Sequence, residues 1–184
     1  MAAGKYARKR KMREDFKNIE YLKTGNSKQK EVYRILKDNL ILEKLAKYSP
    51  ILVGTIPIRI DIENSDLDII CFSRNLEKFE TDVKANFSKE NQFMISIKNI
   101  NKRKSVVAKF RLENYDFEIF GQNIPTDQQD AFLHMIKENE ILKNRDTEFR
   151  RSIIELKRSG LKTEPAFAKL LDIKGDPYSG LLNY

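Results

Sequence analysis

The chain contains a single cysteine, Cys71, so it cannot form an internal disulfide, and a reducing, cytoplasmic setting is the expected one. Because Cys71 ends an apolar, strand-like run, it is expected to be a buried, inert thiol rather than a nucleophile. His134 is likewise the only histidine. The chain also lacks zinc-type Cys/His spacing, a serine triad and a glycine-rich phosphate loop. No apolar run approaches the roughly 20 residues of a bilayer-spanning helix, so no membrane partner is expected. The N-terminus is basic but is not followed by the apolar segment of a secretory signal. Internal repeats and low-complexity tracts are absent too.

The chain does have core material and charge. Forty per cent of its 184 residues are hydrophobic, including eleven Phe and seven Tyr, which is enough for one domain-sized core. The net charge of +8 is unevenly spread: Lys5, Arg8, Lys9, Arg10, Lys11 and Arg13 all precede the first acid. Residues 1–25 therefore read as a basic arm with a loosely amphipathic helix over 8–22, and residues 26–184 as a single domain. An arm of this charge suits a phosphate backbone or an acidic partner, which makes nucleic acid a candidate partner for it.

Hydrophobic periodicity places a helix over about 27–48, with Ser27 as its cap, followed by a short buried strand, "ILVG". "LDIICF" (67–72) is β-branched, apolar and too short for a helix. Helical composition returns over 76–89. Strands are then expected at 92–100, 105–112 and 115–121, with Glu113-Asn114 as a tight turn and "INKRKS" (100–105) as a solvated hairpin loop. Helices are expected near 126–143 and 146–158, and a short one after Glu164-Pro165, with Thr163 as its cap. The tail "GDPYSGLLNY" reads as a loop with apolar anchors. Strands grouped between helices give an α+β class, a short mixed sheet with extra helices at both ends.

The acidic residues carry the chemistry. Residues two apart on a strand share a face, so Asp66 and Asp68 project together while Leu67 and Ile69 point away. Two parallel carboxylates repel unless a cation or a proton lies between them. Paired oxygen ligands of this kind suit Mg²⁺, with Mn²⁺ as the alternative. Asp116 and Glu118 repeat the alternation on a later strand, and either can supply a third carboxylate. Upstream, Gly54 allows close backbone approach to a phosphate and Thr55 offers a hydroxyl donor.

These residues resemble the nucleotidyltransferase superfamily shared with DNA polymerase beta. "LVGT", a ten-residue spacer and "DLDI" are similar to its glycine turn and Asp-x-Asp strand, and "SDLD" is similar to its minimal members. Across most of the chain, "YLKTGNSKQKEVYRIL", "SDLDI", "FEIFGQ" and "GLKTEPAFAKLL" resemble a bacterial family of small nucleotidyltransferase-like proteins of unknown function. The resemblance implies metal ligation by Asp66, Asp68 and, through "FEIFGQ", Glu118. It implies nucleotide binding around Gly54, Thr55 and Ser65, with Lys109 near the phosphates. The implied reaction moves a nucleoside monophosphate from an NTP to an acceptor hydroxyl, the acceptor being RNA, a protein or a small molecule. Thr55 stands where serine is commoner. Ile58 stands where the pattern has arginine and Arg59 where it has glycine. With Pro57, these changes disfavour a regular helix after the glycine turn and point to an altered phosphate cradle.

Two other readings use the same residues. One is a catalytically inactive module of the same fold that binds RNA or a protein partner, and the other is a toxin–antitoxin partner that modifies a cognate protein. Secondary candidates are His134 with Glu138 one helical turn on, Gln122 and Gln129 as base or ribose readers, and Lys109 with Arg111 as phosphate neutralisers. Each also has a plain reading as helix packing or exposed sheet.

Overall fold

The structure, a computed structural model, describes residue 7 and residues 11–184. Lys5, Arg8, Lys9 and Arg10 of the expected basic arm lie outside the described residues. From Met12 onward, the described part of that segment packs onto the body. Met12, Phe16, Ile19 and Leu22 are buried, and Arg13 donates to the Asp127 carbonyl at 2.6 Å.

Five strands form one mixed sheet: β1 (Ile51–Val53), β2 (Leu67–Phe72), β3 (Asn91–Ile100), β4 (Arg103–Leu112) and β5 (Tyr115–Gln122). Their spatial order is β1-β2-β5-β4-β3, antiparallel throughout except for the parallel β2–β5 pair. A parallel pair needs a long crossover. Here the chain between β2 and β5 supplies α4 (Leu76–Phe87) and then the β3–β4 hairpin. That hairpin turns on Asn101 and Lys102, both at positive φ, so the expected loop over 100–105 shrinks to two residues and Arg103–Ser105 join the strand.

The period-two pattern separates two cores. Leu67, Ile69 and Cys71 of β2, Phe117 and Ile119 of β5, and Val106, Ala108 and Phe110 of β4 all point to one face. That face is covered by α2 (Ser27–Asp38) and α4. The rings of Phe87, Phe110 and Phe117 stack there at 5.2 and 5.0 Å. Gly121 is a packing requirement, because a Cβ there would lie 2.0 Å from Cε1 of Phe79. On the opposite face, Ile51, Val53 and Ile70 meet α5 (Asp130–Lys143), α6 (Thr147–Arg158), α7 (Thr163–Leu170) and α8 (Pro177–Asn183). Two short helical turns, α1 (Glu20–Lys23) and α3 (Ile41–Lys44), complete the N-terminal half. No helix among the described residues is long and apolar enough to cross a membrane.

Local chemistry explains where elements depart from expectation. The helix expected over 27–48 breaks after Asp38, because Leu40 takes a left-handed conformation at φ 54°. Its cap is Asn26 rather than Ser27: Asn26 accepts from the Gln29 amide while Gln29 returns a bond to the Asn26 N–H, a reciprocal capping box. α7 starts after Lys162, so Thr163 is its first residue rather than its cap. The tail read as a loop contains α8, with Pro177 in the first turn and Asp176 capping the Ser179 N–H at 2.8 Å.

The segment between β1 and β2 forms no helix. It is a chain of turns, with Arg59 at φ 61°, and side chains from distant helices satisfy its carbonyls. Gln29 donates to the Ile56 and Pro57 carbonyls at 3.0 and 3.1 Å, and Lys28 to that of Ile62 at 2.8 Å. From α6, Arg150 donates to the Ile58 and Arg59 carbonyls and Lys157 to Ile60 at 2.7 Å. Ile56, Ile58 and Ile60 are buried beneath this polar clamp.

Gln29 is itself buried, so Gln29→Ala leaves two buried carbonyls without their donor. A loss of about 2–4 kcal/mol is expected in urea unfolding, with an unchanged m-value. A loss below about 0.5 kcal/mol would show that the clamp is dispensable.

Candidate active site

Sheet register brings the predicted carboxylates together. Asp68 of β2 stands opposite Glu118 of β5, and Glu118 stands opposite Lys109 of β4, so the three form one row across three strands on the second face. Asp66 precedes β2 by one residue and is exposed, whereas Asp68 and Glu118 are half-buried. Lys109 Nζ lies 2.5 Å from Glu118 Oε2 and is a fixed positive charge beside the acids. Asp116 is exposed and faces Arg111 at 3.8 Å, in the next row along the strands. It therefore stands apart from the grouping of Asp66, Asp68 and Glu118.

The acids of this group also act on one another electrostatically. Burial pushes the Asp68 carboxyl up to about 7, and the charges of Asp66 and Glu118 push in the same direction against Lys109. The Glu118 carboxylate in turn raises the Lys109 ammonium.

Gly54 follows β1 at φ 88°, and a Cβ at that position would come within 2.8 Å of Asp68 Oδ2. Backbone conformation and the Asp68 carboxylate thus both require glycine. Thr55 Oγ1 donates to Ser65 Oγ at 3.3 Å, and Ser65 Oγ accepts from the Ile62 amide at 2.9 Å. The two hydroxyls join the ends of the clamped segment across the mouth of the site.

Gly54, Thr55, Ser65, Asp66, Asp68 and Glu118 line one wall of a cleft of about 650 Å³, within the range of small-molecule sites. The helical wall opposite is formed by His134 and Glu138 of α5, Lys157 of α6, Lys162, Thr163 and Glu164 at the start of α7, and Tyr178 of α8. Residues 162–164 are thus both a helix start and a pocket wall. Gln122 and Gln129 also line the cleft, with their side-chain NH2 groups engaged and Gln129 Oε1 left without a partner. Gln122 donates to Ser105 Oγ, and Gln129 donates to the carbonyls of Cys71 and Ile124. Cys71 is buried on the other face, where burial raises its thiol far above its usual range.

The sequence profile described as "Domain of unknown function (DUF4269)" matches residues 34–184. The chain belongs to this family. No curated protein matches it in sequence. Among solved structures it is similar to the Cid1 poly(U) polymerase with MgGTP bound, with a TM-score of 0.52 and 13% identity over 83% of this chain and 47% of that one. The same polymerase with Mg 3′-dATP bound aligns with a TM-score of 0.53 and 14% identity, covering 85% and 48%. The GLD-2/RNP-8 complex aligns with a TM-score of 0.50 and 11% identity, covering 79% of this chain and 56% of that one. The DUF4269 chain spans about half the length of these structures. At such identities the likeness is one of fold: a mixed five-stranded sheet flanked by helices, of nucleotidyltransferase type.

Two predictions follow from this geometry. Wild-type stability falls as pH rises from the unfolded value of 3.8 through about 7, since the folded state keeps a proton on Asp68 that the unfolded chain releases. Asp68→Asn removes that cost. Its gain in unfolding free energy, measured by metal-free thermal melts, should be negligible near pH 4, grow between pH 4 and 7, and level off above at about 1–3 kcal/mol. A pH-independent difference would contradict the assignment. Gly54→Ala should destabilise by about 1–3 kcal/mol in the same melts and be partly relieved in the Asp68→Ala background, because the contact it strains is with that carboxylate.

Proposed function

We propose that this chain is a divalent-metal-dependent nucleotidyltransferase that moves a nucleoside monophosphate from an NTP to an acceptor hydroxyl. The observation that carries this reading is the in-register pair Asp68 and Glu118 on adjacent parallel strands, with Asp66 beside them and Gly54 pressed against Asp68. Three carboxylates are grouped here, and among the described residues Lys109 is the one cation paired with the row, at Glu118. An all-oxygen, acidic donor set fits Mg²⁺ or Mn²⁺. Asp66, Asp68 and Glu118 would hold it. When bound, the ion supplies charge neutralisation for phosphate oxygens and lowers the pKa of a coordinated hydroxyl.

The remaining roles belong to the chain's own groups. Gly54 leaves its backbone open to a phosphate, and Thr55 and Ser65 direct hydroxyls at the same oxygens. Lys109 offsets the charge of Glu118 and of the incoming triphosphate. A carboxylate of the row accepts the acceptor's proton. The acceptor oxygen bonds to the α-phosphorus, the bond from that phosphorus to the bridging oxygen breaks, and pyrophosphate leaves with the electron pair. The likeness to NTP-bound structures of the same fold supports this reading.

Calorimetric titration of each common NTP with Mg²⁺ into the wild type and into Asp66→Ala/Asp68→Ala tests it. The wild type should bind at least one NTP in a metal-dependent way, and the double variant should lose at least tenfold in affinity. Absent heats in both proteins, or equal heats, would overturn the reading.

A further inference from the structure

The helical wall of the cleft carries a second cluster that the sheet site does not use. His134 and Glu138 are one turn apart on α5 and share a face. Glu164, in the first turn of α7, meets them there. One ligating atom from each of the three lies within 4.8 Å of the others. All three line the cleft.

Two further observations point to a missing partner. His134 is only 8% exposed, and its Nδ1 has no hydrogen-bond partner. Glu138 is only 4% exposed. Burying an imidazole nitrogen without a partner, or a carboxylate away from water, is costly, so such groups normally hold a proton or a cation. Lys157 of the neighbouring helix α6 also lines the cleft. Lys157 itself donates to the Ile60 carbonyl at 2.7 Å, which ties it to the clamped segment. The edge of the Tyr178 ring lies against the imidazole, with centroids 6.0 Å apart and planes at 87°, and limits how the ring can turn.

We propose that His134, Glu138 and Glu164 form a second divalent-cation site, of zinc type, on the helical wall of the cleft and separate from the carboxylate site on the sheet. The donor set decides the class. One imidazole and two carboxylates select a borderline ion such as Zn²⁺, whereas three carboxylates suit Mg²⁺. Three protein ligands leave one position of a tetrahedral ion open toward the cleft, for water or a substrate oxygen. The cluster escapes zinc-spacing searches because its third ligand comes from another helix. This site does not depend on the nucleotidyl-transfer reading.

The test uses the full chain, stripped of metal and titrated with Zn²⁺ against a chromophoric chelator. The wild type should take up one tight equivalent, and Asp66→Asn/Asp68→Asn should retain it. His134→Ala and Glu138→Gln should each weaken it at least 100-fold. Zn²⁺ should raise the melting temperature of the wild type and leave that of His134→Ala unchanged. Should the buried substitutions prevent folding, the half-buried Glu164→Gln carries the test, with at least a tenfold loss expected. Wild-type uptake no tighter than that of these variants would overturn the proposal. So would uptake that is lost in the Asp66→Asn/Asp68→Asn protein instead. Failure of NTP binding alongside intact Zn²⁺ uptake would count against nucleotidyl transfer alone.

Discussion

Repulsion between like charges held in register is the constraint around which this molecule is arranged. Hydrogen bonding between β2 and β5 leaves Asp68 and Glu118 no freedom to separate, and Asp66 adds a third charge beside them. For two unit charges about 4 Å apart in a partly screened environment, such repulsion is worth on the order of 4 kcal/mol. The fold answers it locally with the Lys109 ammonium and with a proton retained on Asp68 near neutrality. A site that is uncomfortable in its free state is one in which a bound cation relieves strain already present.

The clamped segment is the second organising feature. Its apolar side chains are buried while its carbonyls lack the partners a helix or strand would provide, so Gln29, Lys28, Arg150 and Lys157 supply them. Donors from α2 and α6 reach the same stretch, so both ends of the chain are fastened to the loop that carries Gly54 and Thr55. The departures Pro57, Ile58 and Arg59 acquire a structural role here. They specify a turn-rich segment held from outside instead of a helix held from within.

Much of the sheet wall was legible because its information is local. Period-two alternation in "DLDII" and "YDFEIF" assigns faces without knowledge of the fold, and it marks β5 within a residue, as the β-branched apolar run marks β2. The choice between Asp116 and Glu118 was not a matter of alternation, since both share a face. It depends on register, which sets Glu118 against Asp68 and leaves Asp116 beside Arg111. The helical wall was far less readable. His134 and Glu138 could be paired by their spacing, but Glu164, Lys157 and Tyr178 join them only through packing among four helices. Gln129 looked like a ligand reader because a polar residue near a site usually suggests one. Its burial and the bond that ties the start of α5 to the end of β2 appear only in the fold.

The parallel pairing of β2 with β5 also sets an order of events in folding. The β3–β4 hairpin is built from neighbours in sequence and can close early, whereas β2 and β5 can meet only after the whole crossover between them has compacted. Asp68 and Glu118 are therefore strangers in a partly folded chain, each free to stay solvated. Their conflict arises only in the last docking step, so the acidic row hinders the completion of folding rather than its start. A cation present at that moment would act as a folding aid as well as a cofactor.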